Sequence, residues 1–233
     1  MPTGSPLRPS LSCARQHASD PSVNTRPRAG VPATLPLALL EALRASDVPQ
    51  PDTLDEHPGG ELVAKRLGLN RTVEVQIERL EKQARRGGAV PGAEFAALQR
   101  LVARRPDAGV VFSDAGRRAA RRAVRERGGV ARALARLLPR RWRHAVGFRH
   151  ARRLARGTFG AELDRGNGFA RAELGRALAV VTDPGAACSF TGSGLAELLR
   201  QLAGFDGAMV HVSCRARGAD ACAWSAAPVG PRR

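Results

Sequence analysis

Apolar residues recur at helical spacing along most of the chain before residue 156, and they predict a series of amphipathic helices. Residues 35–45 are rich in Leu and Ala. Val73, Ile77, Leu80 and Ala84 recur at the intervals of a single helix face. Further helices are predicted over residues 94–104, 108–127, 129–138 and 141–156.

After residue 157 the pattern changes to alternation and β-branched content, which predicts strands. The predicted strands cover residues 168–174, 176–182, 208–216 and 222–226, with a helix over 191–202 between the two pairs. The last two strands flank a short Arg-Gly-Ala-Asp turn, so they predict a β-hairpin. An order of helices, strands, helix and strands predicts an α+β fold in which helices pack on an antiparallel sheet.

The distribution of aromatic residues predicts the domain organisation. All nine aromatic residues lie at or after Phe95. Because aromatic side chains dominate the burial of apolar area, the main domain is predicted over residues 95–228. Residues 32–94 are then a helical accessory region. The Pro-, Ser- and Arg-rich residues 1–31 are predicted to be a disordered tail.

Charge is concentrated in one quarter of the chain. The net charge is +17, with 36 Arg and only 2 Lys, and residues 100–156 hold 18 Arg against 3 acidic residues. This concentration is typical of a surface that binds nucleic acid, an anionic lipid or an acidic partner. Solvated helix faces explain it equally well, so both interpretations stay open.

The length of the apolar runs and the composition of the N-terminus indicate where in the cell the protein is expected. No apolar run approaches the roughly 18 residues of a membrane span. The first residues lack the apolar segment of a secretory signal, so we expect a cytoplasmic location. In a reducing cytosol, clustered cysteines favour metal binding over disulfides.

Four residues near the C-terminus carry candidate metal chemistry: Cys188, His211, Cys214 and Cys222. Thiolates and imidazole at short spacings are the ligands of a tetrahedral zinc site. His211 and Cys214 are three positions apart in a predicted strand, so a bulge or twist must bring them to one side. The alternative is that the cysteines are buried as small apolar side chains.

The segments CSFTGSGLAELL and VHVSCRARGADAC contain these four residues, and residues 110–226 around them resemble a 4-vinyl reductase domain. That family is named for a bacteriochlorophyll-biosynthesis protein and includes the aromatic-sensing domains of phenol-responsive activators. The resemblance implies a fold shared with subunits of the TRAPP vesicle-tethering complex. It also implies a homodimer paired through helices, for which Ala115, Ala119 and Ala123 offer a face of small residues.

The resemblance also implies the ligand set. In the aromatic-sensing members, the residues that match Cys188, His211, Cys214 and Cys222 bind zinc. His211 departs from the pattern, since an acidic residue is expected there, but histidine is an equally competent zinc ligand. Four protein ligands leave no position for water, so the implied zinc is structural.

The favoured function is a small-molecule-binding or sensory module for an aromatic compound or a tetrapyrrole. The candidate lining residues are aromatic, although each is also typical of a core: Trp142, Phe148, Phe159, Phe169, Phe190 and Trp224. A bacteriochlorophyll 4-vinyl reductase or an accessory protein of pigment biosynthesis is an alternative implied by the resemblance. We do not expect an enzyme, because no G-x-G-x-x-G motif follows a predicted strand.

A transcription regulator is the remaining alternative. Residues 61–86 vaguely resemble a helix-turn-helix. However, Glu74, Glu78 and Glu81 lie on the would-be recognition helix, where they would repel phosphates. Nucleic-acid binding therefore stays open.

Overall fold

The computed structural model describes five stretches of the chain: residues 30–47, 60–127, 139–166, 169–174 and 185–228. The predicted helix over 129–138, the predicted strand over 176–182 and nearly all of the predicted tail lie outside the described residues.

Six helices and six strands make up the described fold. The helices are α1 (Thr34–Asp47), α2 (Gly60–Arg85), α3 (Gly92–Ala103), α4 (Ala108–Arg127), α5 (Arg140–Leu154) and α6 (Cys188–Ala203). The strands are β1 (Val31–Pro32), β2 (Ala89–Val90), β3 (Glu162–Asp164), β4 (Arg171–Leu174), β5 (Gly207–Ser213) and β6 (Cys222–Pro228). This mixture of helices and antiparallel sheets confirms the α+β class.

The strands form two antiparallel sheets. The larger has the order β3-β4-β6-β5, and the smaller is the β1-β2 ribbon. The predicted C-terminal hairpin is confirmed, since β5 pairs with β6. A short 3-10 turn over Arg215–Arg217 and the left-handed Gly218 connect the two strands.

Helix α6 lies at the centre of the fold, against α4, α5 and β5. Glycines permit its close contact with both neighbouring helices. A Cβ on Gly116 of α4 would overlap the carbonyl oxygen of Phe190, and a Cβ on Gly147 of α5 would overlap that of Leu202. The two helices therefore approach α6 backbone to backbone.

The core begins earlier in the chain than residue 95. Leu35, Leu37 and Leu39 of α1 are at most 1% exposed and belong to the same apolar cluster as Phe112 of α4. Val31, placed in the predicted tail, is buried in β1. Full burial of a leucine contributes about 1.5–3 kcal/mol, the same range as for phenylalanine, so the absence of aromatics from α1 does not exclude it from the core.

Two sequence-based expectations about helices do not match the structure. Residues 60–85 form one continuous helix, so the two-helix arrangement of a helix-turn-helix is absent there. Ala115, Ala119 and Ala123 are buried within the fold, so that face is already covered and cannot pair with a second copy. None of the described helices is long and apolar enough to cross a membrane.

Candidate metal centre

The four predicted ligands converge at the corner between α6 and the C-terminal hairpin. Cys188 begins α6, His211 lies on β5, Cys214 follows β5 directly, and Cys222 begins β6. Their ligand atoms all lie within 4.8 Å of one another. The grouping predicted from the sequence is therefore present in the tertiary structure.

A β-bulge brings His211 and Cys214 to the same side. His211 pairs with Trp224 and Ser213 with Ala223, so the register shifts by one residue between them. The extra residue is Val212, whose side chain is 56% exposed. The predicted bulge is confirmed, and it removes the geometric conflict of a three-residue spacing in a regular strand.

The Cys188 sulfur lies at the distance from each of the other two sulfurs that a single tetrahedral ion requires. The Sγ of Cys188 lies 3.9 Å from that of Cys214 and 3.8 Å from that of Cys222. Metal–sulfur bonds of about 2.3 Å at tetrahedral angles place two sulfurs about 3.8 Å apart. These distances are far longer than a disulfide bond, and all three cysteines are free.

Stacking orients the imidazole of His211, and one of its ring nitrogens has no hydrogen-bond partner among the described residues. Its ring stacks on the indole of Trp224 with centroids 5.1 Å apart and an interplanar angle of 24°. Its Nε2 is buried without a hydrogen-bond partner among the described residues. A buried nitrogen lone pair without a partner is costly unless something binds it.

Burial also fixes the protonation of this ring. Desolvation lowers the pKa of His211, and the positive charge of Arg217 lowers it further, against the opposing effect of a hydrogen bond with the Ser213 backbone. The neutral imidazole that results is the form that binds metal ions.

The surroundings of Cys188 act on its thiol in the opposite sense. Burial raises the pKa of Cys188, and the neighbouring Cys222 and Cys214 raise it further. A bound cation reverses this effect, because its charge stabilises each thiolate. The backbone N–H of Arg215 already donates to the Cys222 Sγ at 3.5 Å, a contact that stabilises a thiolate.

Gly185 lies against the sulfur atoms of Cys188 and Cys214. Its φ of +84° lies in the left-handed region, and a Cβ there would be 3.1 Å from the Cys214 sulfur and 3.7 Å from the Cys188 sulfur. Any larger residue would crowd the thiols. The Cys3His group and its surroundings could therefore hold one metal ion.

The six predicted ligand-lining residues fall into three separate places. Phe159, Phe190 and Trp224 line a small interior cavity next to Cys188 and Cys222, with a volume of about 20 Å³. The other three lie elsewhere. Phe148 and Phe169 pack together in an aromatic cluster with Phe205, and Trp142 is 56% exposed on α5.

Gln99 is a site residue that the sequence analysis missed. It lines the interior cavity, is 3% exposed, and its Oε1 has no hydrogen-bond partner among the described residues. Its position on α3, four residues after Phe95 and three before Val102, puts a polar side chain on a buried apolar face. That pattern is visible in the sequence and could have identified it.

No family model, curated protein or solved structure matches the chain.

Proposed function

We propose that this protein is a small-molecule-binding module of the sensory type, in which a structural zinc ion fixes the corner between α6 and the C-terminal hairpin. The convergence of the four ligand atoms within 4.8 Å carries the proposal, with two sulfur–sulfur distances close to the tetrahedral value and an unpartnered, buried Nε2 on His211. We also propose that the described fold is of the 4-vinyl reductase and TRAPP-subunit type, because the same four positions carry that resemblance.

The donor set favours zinc over other metals. Three thiolates and one imidazole suit zinc, whereas hard ions such as Mg²⁺ and Ca²⁺ require oxygen ligands. An iron–sulfur cluster spreads its cysteines over two or more metal atoms, but here the ligand atoms lie within 4.8 Å of one another. A bound zinc ion supplies a closed tetrahedral cross-link with no position for water, and therefore stabilises the fold.

Metal analysis of the purified full chain tests this proposal. We expect about one zinc per chain, retained through dialysis without chelator, and a lower melting temperature after zinc is removed. Cys214→Ser is expected to lose the metal, whereas Cys13→Ser, a cysteine outside the group, is expected to keep it. Less than about a tenth of an equivalent of zinc in the unaltered chain would contradict the proposal.

The interior cavity is the proposed place for an aromatic ligand. It lies against the metal centre, aromatic rings form much of its wall, and the Gln99 Oε1 offers an unused acceptor for a hydroxyl group. At about 20 Å³ it holds roughly one water molecule, so a phenol must displace the surrounding rings to enter.

Thermal unfolding in the presence of phenols tests this second part. We expect phenol to raise the melting temperature in a saturable manner, and benzene to raise it less because it lacks the hydroxyl group. In Gln99→Leu we expect phenol and benzene to raise the melting temperature equally, while zinc content stays unchanged. Absence of saturable stabilisation by phenols, other aromatics and porphyrins alike would count against a small-molecule-binding function.

A further inference from the structure

A second, much larger cleft lies on the outer side of α6. It has a volume of about 720 Å³ and is lined by α4, α6, β5 and Trp224 of β6. Two of the candidate metal ligands, Cys188 and His211, also line it, so the cleft borders the metal centre. This volume is typical of sites for small organic ligands. Its walls include Gly109 and Arg121 of α4, which are twelve residues apart and thus separated by about 18 Å along the helix.

The floor of this outer cleft is made of small side chains. Ser113 of α4 meets Ser189, Ser193 and Ala196 of α6 there. The two serine hydroxyls of α6 are already committed, since Ser193 donates to the Ser113 carbonyl at 2.9 Å and Ser189 to that of Ala186 at 2.7 Å. With the two α6 hydroxyls used internally, the α6 side of the floor offers mainly van der Waals contact to a flat or extended apolar body.

One end of the outer cleft is positively charged. Arg117, Arg121 and Arg200 line it together with a single carboxylate, that of Glu197. Three positive charges against one negative charge leave a surplus of two. Arg117 has no ion-pair partner among the described residues.

Glu197 holds two of these arginines in place. It is 4% exposed and accepts hydrogen bonds from the Arg121 Nε at 2.9 Å and from the Arg200 Nε at 2.8 Å. Arg121 uses only its Nε in this pair, so its terminal nitrogens remain available. A guanidinium oriented by a buried carboxylate is preorganised for an anion, because less side-chain entropy is lost on binding.

The rest of the lining holds no Arg, Lys, Asp or Glu: it includes Met209 and Trp224 together with the candidate metal ligands Cys188 and His211. A ligand that fits must therefore be amphiphilic. Its anionic group would lie between Arg117 and Arg121, and its ring or chain would extend over the small-residue floor toward Trp224.

We propose that the outer cleft binds an amphiphilic organic acid, with a carboxylate or a similar anion at the arginine end. Cys188 and Trp224 line both this cleft and the interior cavity, but the arginines that would hold the anion line the outer cleft alone. The proposal does not depend on the aromatic-ligand proposal.

A pair of fluorescent probes tests the outer cleft in the full-length, zinc-loaded chain. Anilinonaphthalene sulfonate carries both an apolar ring system and an anion, and N-phenyl-1-naphthylamine is the matching compound without the anion. We expect saturable binding of the sulfonate at one site per chain, and weaker binding of the neutral compound. Arg117→Gln and Arg121→Gln should each weaken the sulfonate about tenfold, with little effect on the neutral probe.

Two further variants distinguish probe binding in the outer cleft from probe binding elsewhere on the protein. Gly109→Leu fills the cleft, and because a Cβ at Gly109 meets no atom within 4 Å it should leave the fold intact, so both probes should lose affinity. Arg100→Gln, on the exposed side of α3, should change nothing. Circular dichroism and zinc content verify the fold of each variant.

Sulfonate affinity that survives either arginine substitution or Gly109→Leu in a folded variant would overturn the proposal. So would an absence of saturable sulfonate binding to the unaltered chain. Either result leaves zinc content and the response to phenol unchanged, so failure of the outer cleft is distinguishable from failure of the proposed function.

Discussion

His211 stacks on the indole of Trp224 and hydrogen-bonds with the backbone of Ser213. Stacking on Trp224 fixes the plane of the ring, and burial keeps the ring neutral. The sequence identified this residue as a ligand from its spacing to Cys214. It could not show which nitrogen faces the thiols, because that depends on the pairing of β5 with β6.

Substitutions at His211 separate its ligand role from its packing. His211→Phe keeps an aromatic ring on Trp224 but removes the nitrogen, so we expect zinc affinity to fall by about two orders of magnitude or more. His211→Glu has a similar reach and supplies a carboxylate, so zinc should remain bound, within about tenfold of the original affinity. Competition with a chromophoric chelator measures both. Zinc binding by His211→Phe equal to that of the unaltered chain would exclude His211 as a ligand.

The pKa of the buried Glu197 carboxyl is set by its hydrogen-bond partners. Burial alone would raise the pKa of its carboxyl, but hydrogen bonds from Arg200, Gln201 and Arg121 outweigh burial and lower the pKa to about 2. A carboxyl whose pKa is lower in the folded than in the unfolded state stabilises the fold above its unfolded pKa. That contribution is lost as the pH falls from about 4.5 toward 2.

Glu197→Gln should therefore destabilise the protein at pH 7 by about 2 kcal/mol, a value reduced for the solvent exposure of the two arginines. The difference from the unaltered chain should shrink as the pH falls below 4.5. Urea unfolding of both proteins at pH 7 and pH 3, with chelator present throughout so that zinc release does not contribute, measures the effect. A difference that is the same at both pH values would contradict this assignment.

Among the elements, α6 depends on two close helix contacts that no periodicity reveals. Gly116 and Gly147 are isolated glycines within predicted helices, where a glycine normally reduces stability. The structure gives the reason for both, since each lies where a neighbouring backbone leaves no space for a Cβ. Element bounds were predictable from local spacing, whereas the partner of each glycine comes from a distant part of the chain.

Alanine substitutions at three glycines test these contacts. Gly116→Ala and Gly147→Ala should each destabilise the fold by about 2–4 kcal/mol, because the added methyl forces α4 or α5 away from α6. Gly109→Ala is the matched control on the same helix as Gly116. A Cβ there is unobstructed, so helix propensity should make it neutral or stabilising by up to about 1 kcal/mol. Thermal or urea unfolding gives all three values, and equal effects would refute the close-contact explanation.

For the whole molecule, the position of α1 changes the domain organisation expected from the sequence. Aromatic residues begin at Phe95, but the core begins at β1 and α1. Helix α1 covers part of α4, and an ion pair between Arg122 and Glu41 at 2.8 Å joins the two helices. Residues 30–47 therefore belong to the folded unit.

Truncation tests this organisation. A chain of residues 95–228 lacks α1 and should expose the apolar surface that α1 covers, at a cost of about 2 kcal/mol for each buried leucine that is lost. We expect it to be insoluble or to lack fixed tertiary packing. A chain of residues 30–233 should instead unfold cooperatively, as measured by near-ultraviolet circular dichroism. If the 95–228 chain folds cooperatively, the main domain begins at residue 95, as the distribution of aromatic residues predicted.

The sequence by itself determined the α+β class, most helix bounds, the C-terminal hairpin and the four candidate ligands. These features follow from local periodicity and from the chemistry of Cys and His at short spacings, so they need no knowledge of distant contacts. Only the tertiary structure decided which aromatic residues meet, where the core begins, and that residues 60–85 form a single helix. Both cavities also depend on it, because their walls come from segments far apart in the chain, and such packing has no signature in local spacing.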